Sequence, residues 1–149
     1  MYDFLLKDLK KDLTQKKIGT NKGLAKIGDG VVNLSYSLAK SIYLTQNSKN
    51  NNIIRTGVKV SKSVLAEALK LANMKEFAKS RADAHDMADT VESLVAFVYL
   101  DNLMSINDIT NHLFKYLSGN LLNRQEEIES ARKAFTSLLN NMKQYLPLT

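Results

Sequence analysis

The sequence contains no cysteine and no tryptophan, and only one proline and six glycines in 149 residues. Without thiols there is no disulfide framework, no thiolate zinc site and no cysteine nucleophile. So little proline and glycine leaves scant material for the tight turns of a many-stranded sheet. Long apolar runs are missing too: the longest, Leu94 to Leu100, falls far short of a membrane span. The first residues set Asp3, Asp8 and Asp12 among lysines, unlike a signal or transit peptide, so the expectation is a soluble, cytoplasmic protein without a membrane partner. What is present, 44% hydrophobic and 24% charged residues, suffices for one domain over residues 1–149 with a sizeable core.

Charge is unevenly placed. Residues 1–82 hold 16 Lys+Arg against 6 Asp+Glu, whereas residues 83–149 hold 5 against 9, within a net charge of +6. A basic half beside an acidic half fits a polyanionic partner, a cation site, or both, and equally a solvated lysine face.

Apolar periodicity and capping residues predict helices throughout. The expected helices cover Tyr2 to about Lys16, Lys22 to Thr45 behind an Asn21 cap, Ser61 to Asn73, a short one at 74–79, and Asp83 to Leu103. Two more follow, one capped by Ser105 and ending at Gly119, the last opened by an Asn123/Glu126 capping box. Residues 46–56 read as a loop. The fold class is therefore all-α, a helical bundle around a buried central helix.

Two helices stand out. On the second, Leu24, Ile27, Val31, Leu34, Leu38 and Ile42 form one apolar stripe, and Val32, Tyr36, Ala39 and Tyr43 another, so packing on two sides is expected. Asp29 lies at the polar edge of the second stripe, near Lys22, Lys26, Asn33 and Lys40. The 83–103 helix is apolar almost all round, which marks it as central. Its Asp89 and Glu92 are three residues and about 60° apart around the helix, with His85 between them in angle. Two acids on one face of a buried helix need basic partners, a shared proton or a divalent cation.

Read together, these segments resemble the ribonuclease III domain. Asn21-Lys22-Gly23-Leu24-Ala25-Lys26-Ile27-Gly28-Asp29-Gly30 is similar to that family's signature, Asn-Glu-Arg-Leu-Glu-Phe-Leu-Gly-Asp. Asp89-Thr90-Val91-Glu92-Ser93-Leu94 is similar to its second motif, Asp-Thr-Val-Glu-Ala-Leu, and Val60 to Glu67 resembles the segment leading into its middle helix. The chain departs from the signature at Lys22 and Ala25, where the family has glutamates. Ala25 in its Leu-Ala-Lys-Ile-Gly-Asp context is similar to the Mini-ribonuclease III branch, and the short form without a double-stranded-RNA-binding domain is similar to archaeal proteins of that type.

The resemblance implies a ribonuclease III-like endonuclease domain that cuts double-stranded or structured RNA as a homodimer, leaving 5′-phosphate and 3′-hydroxyl ends. It implies catalytic, metal-holding roles for Glu92, Asp29 and Asp89, with Mg²⁺ or Mn²⁺ as cofactor; Ala25 leaves one ligand missing. Lys22, Lys26 and Lys62 are candidate RNA contacts, as are Lys59, Lys79 and Arg81. Asp86 is expected at the start of its helix, complementing the dipole, and His85 as a partly exposed helix-start residue that could also touch the site or the substrate. No role is expected for His112, and Tyr36 and Tyr43 are expected in packing or a dimer contact. The rival expectation is a dimer of the same fold that has lost activity and binds RNA or the ribosome.

Overall fold

The computed structural model describes residues 1–149 and is all-helical. Six α-helices follow in order: α1 Gln15–Gly19, α2 Lys22–Gln46, α3 Lys62–Leu71, α4 Ala84–Leu100, α5 Ile106–Lys115 and α6 Arg124–Met142. No helix is long and apolar enough to cross a membrane. Most starts are fixed by side chains that accept orphan N–H groups: Asn21 from Leu24, Ser61 from Val64, Ser105 from Asp108. Asp83 and Asp86 form a reciprocal capping box at the start of α4. At α6 the box is only half made. Asn123 accepts from the Glu126 N–H, but the Glu126 carboxylate turns back to the Asn120 N–H.

Helix α4 is the central helix, as its composition requires. Val91, Leu94, Val95, Ala96 and Val98 are fully buried, and α2 and α3 pack along its length while α6 closes over α3 and α5. Burial of the valine and leucine side chains is worth about 1.5–3 kcal/mol each.

Three sequence expectations are corrected. Residues 2–16 do not form one helix: two short 3-10 turns, Asp3–Leu6 and Leu9–Asp12, bury only Leu6 and Leu9. The chain then becomes extended at Leu13, and Thr14 caps a new helix, α1, which runs on past Lys16 to Gly19. Gly19 ends that helix, and only glycine fits there because a β-carbon would lie 2.0 Å from the Phe77 carbonyl oxygen. The α5 helix stops at Lys115 rather than at Gly119, which takes a φ of +79° in the connection that follows. Finally, the first α2 stripe is only partly covered within the chain. Leu24 and Val31 are buried, as are Val32, Tyr36 and Ala39 of the second stripe, but Ile27, Leu34, Leu38 and Ile42 stay exposed.

The segment after α2 is more ordered than its loop-like composition indicated. It runs back along α2, and a row of α2 side chains takes the place of a neighbouring strand. Thr45, Ser41 and Ser37 each accept the N–H and donate to the C=O of one residue, Ile54, Thr56 and Val58 respectively. Asn33 completes the row by accepting the Val60 N–H at 2.8 Å. The hydroxyls thereby satisfy backbone groups that would otherwise lack partners on that side.

Candidate active site

Each acid of the site is placed by helix packing. Asp29 sits on α2, Asp89 and Glu92 on α4, and the two helices cross where Gly28 meets Glu92. A β-carbon on Gly28 would lie 1.8 Å from the Glu92 carbonyl oxygen, so only glycine permits this approach. Flanking residues of α4 lock the crossing. Thr90 donates to the Gly19 carbonyl and Ser93 to the Asn21 carbonyl, both at 2.8 Å, tying α4 to the junction of α1 and α2.

The three acids share an open cleft of about 380 Å³ with Lys22, Lys26, Lys59 and Lys62, and Ala25 forms part of its wall. Within it the acids differ. Asp89 accepts a 2.9 Å hydrogen bond from Lys22, with Lys62 at 3.5 Å on its other oxygen and the exposed His85 at 3.9 Å. Burial pushes its carboxyl up, but Lys22, then Lys62 and His85, outweigh burial and hold it below the ordinary aspartate value. Asp29 accepts a 3.2 Å hydrogen bond from the amide of Asn33. Asn33 therefore joins the extended segment to an acid of the site.

Glu92 is the unusual member. It is only 4% exposed, and its nearest cation is Lys62 at 3.8 Å. No backbone or side-chain N–H donates to its carboxyl. Burial, followed by the adjoining Asp29 carboxyl, pushes Glu92 up to about 8 against the pull of Lys62. A buried acid facing a second acid, with no N–H donor of its own, is a setting that accepts a proton or a hard cation.

The remaining candidates separate clearly. Lys26 and Lys59 line the cleft without an ion pair, while Lys79 is drawn to Asp86 at 3.4 Å. Asp86 is occupied by its capping box and by lysines. Arg81, exposed at a φ of +57°, makes no ion pair. His112 hydrogen-bonds Ser137 at 2.9 Å, away from the cleft. Tyr36 is buried and donates to Glu127, and Tyr43 donates to the Gly119 carbonyl, so both tyrosines serve packing. The positioning part of Asn33 escaped the sequence reading, although the every-fourth-residue row Asp29, Asn33, Ser37, Ser41, Thr45 was its visible trace.

Residues 22–148 match the model of the family described as Ribonuclease III. The chain belongs to the ribonuclease III family, and its all-helical fold agrees with that membership. No individual curated protein matches the chain.

The family implies a divalent metal, and the donor set can be tested for it. No three acidic or histidine side chains converge closely enough to form a ready-made metal cage. Two do adjoin, Asp29 and Glu92, and the donorless, buried Glu92 carboxyl suits a hard ion that keeps waters and substrate oxygens as its other ligands. These residues fit one such ion, with Asp89 beside it in the grip of lysines.

Proposed function

We propose that the protein is an endonuclease that cuts double-stranded or structured RNA with the help of Mg²⁺ or Mn²⁺. The observation that carries this reading is the buried Glu92 carboxyl adjoining Asp29 inside a lysine-lined cleft. Asp29 and Glu92 would hold the ion, with Asp89 alongside. The ion's chemistry, when bound, is to make a water more acidic and draw charge from the phosphate. The water oxygen bonds to phosphorus and the bond from phosphorus to the 3′-oxygen breaks. One water proton ends on that 3′-oxygen, giving a 3′-hydroxyl and a 5′-phosphate.

The protein's own residues supply binding and orientation. Lys26 and Lys59, free of ion pairs at the cleft, would engage phosphates flanking the cut. A duplex hides its bases, so contacts to phosphates and 2′-hydroxyls are the ones such a site requires. The exposed row Ile27, Leu34, Leu38 and Ile42 on α2 supports a homodimer through that face. Ile27 lies about 200° around the helix from Asp29, so a partner on this row leaves the cleft open to the RNA.

A long, end-labelled RNA duplex incubated with Mg²⁺, Mn²⁺ or EDTA tests the reading, with Asp29→Asn and Glu92→Gln alongside. Metal-dependent cutting lost in both variants is the expected result. Duplex binding without cutting would instead favour a non-catalytic RNA-binding dimer, a role consistent with the lysines that already neutralise Asp89.

A further inference from the structure

The cleft carries more positive charge than its acids require, and that charge is aimed. Lys22 from α2 reaches one oxygen of Asp89 at 2.9 Å, and Lys62 from α3 reaches the other at 3.5 Å. One carboxylate of α4 thus gathers two ammoniums from two different helices. Lys62 also lies 3.8 Å from Glu92. Both lysine side chains keep a large part of their surface open, 65% for Lys22 and 43% for Lys62, so each still faces an incoming ligand.

The acids cannot serve a second ion as well. Ala25 contributes no oxygen, and Asp86 is committed to the α4 capping box and to Lys79. An additional divalent ion would have to expel both ammoniums, and Asp89 would be the one carboxylate it did not share with the first ion. It would also enter a cleft already holding four lysines against three acids, which like-charge repulsion opposes.

Resting on the endonuclease reading above, we propose that Lys22 and Lys62, gathered by Asp89, take the place of a second ion, so that the site works with one divalent cation per chain. Their ammoniums contact the non-bridging oxygens of the scissile phosphate. Charge grows there while the bond to the water oxygen forms and the bond to the 3′-oxygen breaks. Fixed cations at that position stabilise the transition state without needing to reorganise. Asp89 is then a positioning residue for the lysines more than a metal ligand.

The experiment combines Mn²⁺ titration followed by electron paramagnetic resonance with duplex cleavage at saturating Mn²⁺. It uses the full chain and the variants Lys62→Met, Lys62→Arg and Lys22→Met. The parent is expected to bind one Mn²⁺ per chain. Lys62→Met removes an ammonium that competes for Glu92, so it is expected to bind Mn²⁺ roughly threefold more tightly. The same variant is expected to cut about 10- to 100-fold more slowly, with Lys62→Arg recovering most of the rate. Lys22→Met is expected to slow cutting similarly and leave the count at one. Tighter metal binding with slower cutting is a combination that a merely structural lysine would not give. Two Mn²⁺ per parent chain would overturn the proposal, as would a Lys62→Met variant that binds and cuts like the parent. If the parent cuts and Asp29→Asn does not, either result sinks this proposal alone. If the parent cuts no duplex with any divalent ion, the endonuclease reading falls and takes the proposal with it.

Discussion

Gly28 rests on the backbone of Glu92, with no space between them for a methyl group. The glycine beside Asp29 is therefore a spacer, and it sets how near the acid of α2 comes to the acid of α4. Gly28→Ala is expected to destabilise the fold by about 3 kcal/mol or more, because the obstacle is helix backbone that cannot rotate away. Thermal unfolding of the purified variant measures it, and parent-like stability would contradict the crossing.

Asn33 holds the Asp29 carboxylate with its amide N–H and the Val60 N–H with its amide oxygen. Asn33→Ala removes both bonds and is expected to cost about 1–2 kcal/mol. Cleavage should fall with little change in duplex affinity, since Asp29 loses its orientation while the lysines stay. A variant with unchanged stability and rate would show that the row of α2 side chains ends without reaching the site.

The Glu92 carboxyl predicts a pH dependence with a definite sign. Its folded value, about 8, lies above the ordinary 4.5, so folding favours the protonated form. The metal-free protein is expected to lose stability as pH rises from about 4.5 toward 8, and Glu92→Gln should remove that slope. Melting temperatures at pH 5 and pH 8 should converge for parent and variant at the lower pH and separate at the higher, with the variant more stable. Since a divalent ion requires the carboxylate, Mn²⁺ affinity of the parent should rise with pH over the same window.

Much of this arrangement was legible in the sequence. The apolar girth of residues 87–100 gave a central helix, and the positions of Asp29, Asp89 and Glu92 on two core helices gave the acid cluster. Family membership followed from the same two segments. Less legible were features that depend on pairings distant in sequence. Nothing local to Asp89 shows that Lys22 and Lys62 arrive from two other helices. Residues 2–16 carry a passable helical pattern, yet Thr14 offers its side chain to the Lys17 N–H and starts a new helix instead. The α2 stripe looked like two packing faces because periodicity reports apolarity and is silent on whether anything covers it.

Glu127 is buried with Tyr36 donating to it at 3.1 Å and Lys40 paired to it at 2.6 Å, joining α2 to α6. The Lys40 side chain is only 13% exposed, so removing it strands a buried carboxylate. Lys40→Met is expected to cost about 2–3 kcal/mol, somewhat less than a fully orphaned buried acid because Tyr36 and Arg124 remain. Tyr36→Phe should cost about 1 kcal/mol. Urea unfolding of both variants and their double mutant would reveal whether the pair is coupled.

Leu34 and Leu38 lie on the exposed row of α2 at 50% and 40% exposure. If that row joins two copies, Leu38→Asp is expected to convert a sedimenting dimer into a monomer while leaving the circular dichroism of the helices intact. A parent that sediments as a monomer at every concentration would remove the dimer from the proposed function.

The row of hydroxyls along α2 carries an evolutionary consequence. Four helical residues advance about 6 Å, and two extended residues about 6.6 Å. The helix and the extended segment therefore stay in step over the whole run from Thr45 to Asn33. Between Ile54 and Val60, adding or deleting a single residue would exchange inward and outward positions, turning Lys59 away from the cleft and Val60 out of the core. The polar stretch at 47–52, outside that registration, can change length freely. Natural variation in this region should accordingly consist of length changes before Ile54 and point substitutions after it.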